Sequence, residues 1–385
     1  MTFQTTSKNN LKIAVIFTNY GPYHFARVGS FQNSCLKLGW LSLGIELARY
    51  EKEYPWKTTR EDINFEIYSA ISDKPIEKSS VWEIIKHLYS TLAKSQSDIF
   101  VIAGYARPAM VAALFWCLWH GKPAILLSET KEDDAPRSWW IEKIKAWLIT
   151  RYTSALVGGQ PHKRYLIKLG MRPEAIFLGY NVVGNDAFHP SQIKSLSPPL
   201  DKPFFLAINR FVTKKNLPFL VSAYGAYRQL SGDKPWDLVL CGDGELRSQL
   251  EAQITQAGIA DYVHLPGFLQ QNELLPYFAH GSCFIHASIQ EQWGLVVNEA
   301  MAAGLPVLVS NRCGCYEDLI IEGVNGFGFD PENVQQLTNL MVKMSSGEID
   351  LHKMSDAALT HIQKFSPDYF AQGLTQAVEY ALAHK

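Results

Sequence analysis

The chain has 385 residues, 47% of them apolar, and a formal net charge of −1 at neutral pH. That length exceeds one ordinary hydrophobic core and suits two domains of similar size, while near-neutrality without a long basic run argues against nucleic acid as a partner held by bulk charge. The six cysteines lack the paired spacings of a zinc site, Cys313-Gly314-Cys315 standing alone, so free thiols in a reducing compartment and no metal are expected.

The opening MTFQTTSKNN is polar and without the apolar core of a signal peptide, and no run of about 18 apolar residues occurs. A cytoplasmic protein is expected, with peripheral contact at the inner face of a membrane left open. Residues 11–17 are a short, β-branched apolar run that ends in Thr18-Asn19-Tyr20-Gly21-Pro22 and leads into a helical pattern extending to about Tyr50. This is the β-turn-α opening of a Rossmann-like domain without the G-x-G-x-x-G dinucleotide fingerprint, and only Gly21 is placed for close backbone approach to a ligand. His24, at the helix start, can meet a phosphate or an acceptor, or simply cap the turn. Strands are predicted over 64–68, 98–103, 124–128, 155–158 and 175–178, alternating with helices such as 108–120 and 138–150. The alternation argues for a parallel sheet with helices on both faces, in a first domain over residues 1–188.

Two loops leave the carboxyl ends of predicted strands in this domain: Gly104 to Pro108, with Arg107, and Ser128 to Asp134, with Glu129. The helix at 139–149 mixes three tryptophans with two lysines; such a face can lie on a lipid interface or pack on the sheet with its lysines in solvent. The stretch 189–201 is rich in proline and serine and reads as an interdomain linker.

A second domain over 202–365 restarts with an apolar run at 204–208, followed by Asn209-Arg210 and by Lys214-Lys215 ahead of a helix from Leu217. Arg210 offers a fork of donors for phosphate oxygens and Lys215 a mobile point charge. Gly242-Asp243-Gly244 supplies turn chemistry, and Phe268 follows a strand at 263–265. The stretch SIQEQWGLVVNEAMAAGLPVLVS at 288–310 is a loop-helix-strand unit, entered from a strand at 283–287, whose helix begins near Trp293 or Gly294. Glu291 and Glu299 have seven residues between them. At helical rise they stand about 12 Å apart along the axis, too far for one acid/base pair and suited to the two ends of an elongated ligand. The N–H groups of Gly294 and Leu295 between them make an anion the natural occupant, so sugar, diphosphate and ribose fit that order. The closing pattern at 369–383 is long enough to pack back on the first domain.

The Glu291-to-Glu299 spacing, the continuation EAMAAGLPV and the segment from Asn209-Arg210 to Lys215 resemble the donor domain of retaining GT-B glycosyltransferases, specifically the glycogen-synthase-like family 4, over roughly residues 204–331. The resemblance implies an α/β fold of two Rossmann-like domains with an interdomain cleft, the carboxyl-terminal one holding a nucleoside-diphosphate sugar and the amino-terminal one a sugar, lipid-linked or small-molecule acceptor. It implies that Glu291 bonds the donor sugar, that Glu299 bonds the ribose, and that Gly294 and Leu295 bind phosphate beside Trp293. Arg210 and Lys215 would neutralise the departing diphosphate without metal or other cofactor, Phe268 would wall the base, and Gly21 would face the donor. Retention by front-face attack, with no enzyme nucleophile, is expected. His24, Arg107 and Glu129 are the acceptor candidates. The chain departs from the family in having Gly21-Pro22 where many members carry two glycines, and Glu129 in a region that often carries a histidine. The alternatives are a relative acting on nucleotide sugars without a hydroxyl acceptor, such as an epimerase, and a non-catalytic sugar-nucleotide-binding subunit.

Overall fold

The computed structural model describes residues 10–51, 60, 63–134, 137–232 and 235–384; most of the polar amino-terminal stretch read above lies outside them. The chain forms two compact units that divide at Val183/Gly184 and again at Ser366/Pro367, so its last helix belongs to the first unit.

In the first unit β1 (Lys12–Phe17) leads to α1 (Pro22–Lys37), β2 (Leu41–Tyr50) and β3 (Ile67–Pro75). Then follow α2 (Val81–Ser95), β4 (Ile99–Ala103), α3 (Pro108–Trp119), β5 (Ala124–Ser128), α4 (Trp139–Ile149), β6 (Ser154–Val157), α5 (Gln160–Lys168) and β7 (Ile176–Leu178). The seven strands pair in the order β3-β2-β1-β4-β5-β6-β7, every pair parallel. Strands covered by helices on both faces read as continuous apolar runs, which is why β1, β4 and β5 are legible as 5- and 6-residue blocks.

The expected helix to Tyr50 is not formed. Helix α1 stops at Lys37, the chain turns through Gly39 in the left-handed region (φ 71°), and 41–50 returns as β2 beside β1. Its buried acid, Glu46, is met by the Tyr20 amide at 3.1 Å, Arg60 at 2.8 Å and the Ser69 hydroxyl at 2.5 Å. The following strand begins at Ile67, later than the expected 64–68. The last helix of the chain, Pro367–Ala383, lies against β6 and β7. Ser154 donates to the Ala377 carbonyl at 2.8 Å, and Gly373 passes so near Leu178 that a Cβ would sit 2.1 Å from its carbonyl oxygen.

In the second unit a short helix α6 (Pro190–Ile193) precedes β8 (Phe204–Ile208), α7 (Leu217–Leu230), β9 (Asp237–Cys241), α8 (Arg247–Gln256) and β10 (Val263–Gly267). They are followed by α9 (Gln271–His280), β11 (Cys283–His286), α10 (Leu295–Ala302), β12 (Val307–Ser310), α11 (Tyr316–Leu319), β13 (Gly326–Phe329), α12 (Val334–Ser345) and α13 (Leu351–Ile362). The six strands run β10-β9-β8-β11-β12-β13, all parallel. The stretch read as a linker, 189–201, is built into this unit: Ile193 is buried, and His280 meets the Leu196 carbonyl at 2.6 Å.

Each sheet grows outward from its first strand in one direction and then resumes on that strand's other side. The reversal falls between β1 and β4 in the first unit and between β8 and β11 in the second. A crevice opens at such a switch point outside the carboxyl ends of the strands, where open α/β sheets bind ligands.

Candidate active site

Two loops flank the switch point of the second unit, 209–216 after β8 and 287–294 after β11. The first is anchored by Phe211, fully buried, whose N–H donates to the Asp243 carbonyl at 2.8 Å. Gly242 and Gly244 permit that approach, since Cβ atoms there would fall 1.8 Å from the Asn209 carbonyl oxygen and 2.6 Å from that of Phe211. Gly242-Asp243-Gly244 is therefore more than a turn: it lets the β9 loop support the loop that carries the cations. A tight turn over Thr213–Lys215 ends in Asn216 in the left-handed region (φ 57°), and the Lys214 carbonyl accepts from the Ile289 amide at 3.0 Å, joining the two loops.

This juncture sets Lys215 against Glu291. The two form an ion pair across the switch point, their side chains 13% and 15% exposed. The Glu291 carboxylate also accepts from the Ser288 hydroxyl and His286 Nε2, both at 3.2 Å. Burial opposes its ionisation, but the His286 hydrogen bond and the Lys215 charge outweigh it and hold the carboxyl well below the usual range. Burial depresses His286 more than the carboxylate raises it, and Lys215 adds to the depression, so the imidazole is neutral. Its Nε2 carries the proton toward Glu291, while Nδ1 is buried without a hydrogen-bond partner among the described residues.

The backbone of Glu291 is fixed from the other side. It bridges Cys313, and its carbonyl accepts from Gly314 N–H at 3.1 Å. The C-x-C stretch is thus a brace for the loop. Among the described residues no group of three or more His, Cys, Asp and Glu side chains is placed to hold a metal.

Gly294 caps α10 with φ 105°, a conformation L side chains rarely adopt, and a Cβ there would lie 3.3 Å from His286 Nε2 and 3.6 Å from Cys315 Sγ. The first two amides of α10, those of Leu295 and Val296, therefore start directly beside the Glu291 cluster, where helix geometry gives them no intrahelical acceptor. The Trp293 indole is buried, and its Nε1–H donates to Asn298 Oδ1 at 2.8 Å. The Trp293 carbonyl accepts from the Cys315 amide at 3.2 Å. Glu299 lies on α10 and is 6% exposed, Arg210 is exposed at the carboxyl end of β8, and Phe268 stands out beyond β10 at 59% exposure. His286 and Ser288 escaped the sequence reading. The available signal was their i, i+2 spacing at a strand end, which puts both on one side.

In the first unit Gly21 lies after β1 in extended conformation (φ −107°) and donates its N–H to His24 Nδ1 at 3.0 Å. His24 is thus the cap of α1, with its ring against Phe17 at 4.1 Å. Burial and the neighbouring Arg27 push its pKa down to about 3. Arg107 caps α3 and pairs with Glu51 at 2.9 Å. Glu129 follows β5 and acts electrostatically on Arg27 and Tyr180. Arg27, buried and donating to the Val182 carbonyl at 2.9 Å with its guanidinium 5.2 Å from the Tyr180 ring, is a further polar residue at this edge that the sequence did not single out.

Residues 189–361 match the family model of the glycosyl transferases group 1. The match covers the second unit, which is thus similar to the group 1 glycosyltransferases. Curated relatives include the amylovoran biosynthesis glycosyltransferase AmsK of Erwinia amylovora, 28% identical over 54% of this chain and 48% of that protein. The human alpha-1,3/1,6-mannosyltransferase ALG2 is 24% identical over 54% of this chain and 52% of its own. The chain thus spans about half the length of these relatives. Among solved structures, Anabaena Alr3699/HepE in complex with UDP and glucose is similar over 96% of this chain and 99% of that one, with a TM-score of 0.74 and 20% identity. A glycosyltransferase from Rickettsia africae is similar over 98% of this chain, with a TM-score of 0.74 and 16% identity. At that identity the likeness is one of fold, and it identifies two Rossmann-like parallel-sheet domains of the GT-B type.

Proposed function

We propose that this chain is a group 1 glycosyltransferase that moves a sugar, with retention of configuration, from a nucleoside-diphosphate sugar to a hydroxyl acceptor. The observation that carries the reading is the Lys215–Glu291 pair at the β8/β11 switch point, beside the start of α10 at Gly294. A donor presents both chemistries this site is built for: oxyanions for Lys215, Arg210 and the amides from Gly294 and Leu295, and sugar hydroxyls for Glu291. As the glycosidic bond lengthens, negative charge gathers on the diphosphate, and the same donors stabilise it where it develops. The reading needs no metal and no enzyme nucleophile, with the leaving phosphate oxygen taking the acceptor proton. Glu299, farther along α10, bonds the ribose, and Phe268 covers the base.

The acceptor is assigned to the carboxyl edge of the first sheet, where His24, Arg107 and Glu129 stand, and is a sugar, a lipid-linked sugar or a small molecule. The relatives' names support that breadth, since they span amylovoran biosynthesis and mannosyl transfer. The test is incubation of the protein with nucleotide sugars in chelator, reading nucleoside diphosphate release and, by NMR, the anomeric configuration of the product. Release dependent on an acceptor and lost in Glu291→Ala is expected. Release of free sugar alone, or inversion at the anomeric carbon, would overturn the assignment.

A further inference from the structure

The outward face of α4 is inverted relative to ordinary core packing. Its ion pair faces the protein: Lys145 meets Glu142 at 2.9 Å, and Tyr165 of α5 donates to the same carboxylate at 2.7 Å. Leu148 and Ile149 enter the core beside them. The aromatics point the other way. Trp140, Ile144 and Trp147 recur at i, i+4 and i+7 on one exposed stripe, flanked by Trp139 at 72% exposure. Helix α3 extends the stripe through Phe115, whose ring stands 6.0 Å from that of Trp147, to Trp119 at 89% exposure. Such a run is not needed to close the core of the first unit, and large contiguous apolar patches on soluble domains mark interaction sites.

Two cations frame the patch at ring level. The Lys143 ammonium lies 4.8 Å from the Trp139 ring centroid, and the Arg151 guanidinium lies 4.9 Å from that of Trp147. Tryptophan beside cations is the composition that seats a helix at the headgroup level, the rings in the acyl boundary and the charges among lipid phosphates. A second copy of the chain fits poorly, because a two-fold pairing of this face would bring Lys143 and Arg151 toward their own mates. Nor is the face part of a span, since among the described residues no helix is long and apolar enough to cross a membrane.

We propose that the α3/α4 face is a docking surface for an anionic lipid bilayer, with Trp139, Trp140, Ile144 and Trp147 entering the interface and Lys143 and Arg151 binding lipid phosphate. This rests on the exposed face alone and stands apart from the transfer chemistry.

The test is co-sedimentation of the full chain with sucrose-loaded vesicles of phosphatidylcholine, with and without phosphatidylglycerol. The protein is expected to pellet with the anionic vesicles. Lys143→Gln/Arg151→Gln lowers partitioning there by about tenfold or more and abolishes the preference over neutral lipid. Trp140→Gln/Ile144→Gln/Trp147→Gln removes binding to both, with an unchanged circular dichroism spectrum. Should that variant misfold, quenching of the unaltered protein's tryptophan fluorescence by brominated phosphatidylglycerol replaces it as the readout. Absence of pelleting and of quenching, or a well-folded aromatic variant that pellets like the original, overturns the proposal. So does a lipid-free dimer, seen by sedimentation velocity, that the aromatic variant converts to monomer.

Discussion

Removing either partner of the Lys215–Glu291 pair leaves the other's charge mostly buried, and a double-mutant cycle reads that directly. Lys215→Met keeps the aliphatic stem but strands a carboxylate with only a neutral imidazole and a hydroxyl to receive from. Breaking a fully buried pair costs about 3–5 kcal/mol; with 13% and 15% of the side chains still exposed, about 2–3 kcal/mol is expected here. Glu291→Gln preserves shape and hydrogen bonding but strands the ammonium, for about 2 kcal/mol. The double variant has no stranded charge and recovers most of both losses, so the coupling should reach about 3 kcal/mol, the upper end of the range found for residues sharing one network. Melting followed by circular dichroism reads this as a drop of roughly 4–8 °C in the second unit's transition for each single variant, and far less for the pair. Additivity within about 0.5 kcal/mol would show that the two charges are independently solvated and that the switch point holds no preformed site.

Three further expectations concern the scaffold. The folded pKa of His24, depressed to about 3, lies below that of the unfolded chain; the unfolded state therefore takes up the proton first, and stability is lost as pH falls from about 6.5 toward 3. His24→Gln should flatten the dependence of the first unit's melting temperature between pH 7 and 5, and an unchanged slope refutes the role. Gly294→Ala forces a side chain into φ 105° against His286 and Cys315, at about 1–3 kcal/mol; nucleotide binding measured by calorimetry should weaken at least tenfold, and retained affinity would detach the α10 start from the site. Gly373→Ala puts a methyl against the Leu178 carbonyl and should lower the first unit's stability by about 1–3 kcal/mol; an unaltered urea midpoint would show that the terminal helix is not seated there.

The sheet strands were legible because parallel strands buried on both faces leave apolar blocks that need no tertiary knowledge. Strand β2 was not, because Glu46 interrupts its run, and the groups that satisfy that buried acid lie at Tyr20, Arg60 and Ser69. A charge in a strand looks like the polar side of a helix until its partners are known. Lys215 and Glu291 were each legible as candidates from their place after a strand. Their pairing across 76 positions was not, since it depends on β11 lying next to β8. Trp293 is legible as the neighbour of the helix start, whereas the turn of its indole toward Asn298 depends on the packing inside the unit. The aromatic stripe of α4 was visible as composition, and only the inward placement of Glu142 and Lys145 decides which way it faces.

On the proposed reading, Lys215 is neutralised by the site's own carboxylate, Glu291. An anion without hydroxyls must compete with Glu291 for Lys215 and gives the displaced carboxylate nothing in return, so inorganic phosphate is disfavoured by the very pair that holds the cation in place. A nucleoside diphosphate regains part of the loss through the α10 amides and Glu299. Only a nucleotide sugar supplies oxyanions to Lys215 and hydroxyl donors to Glu291 together, so the opening of the pair is offset by the intact donor and not by its fragments. Glu291→Gln should erase this order by freeing Lys215. Calorimetry should then show nucleoside diphosphate binding as tightly as the nucleotide sugar, or more tightly, while transfer falls by about 10²-fold or more. If the unaltered protein already binds diphosphate and nucleotide sugar equally, Glu291 does not touch the sugar, and the pair serves only to hold two loops together.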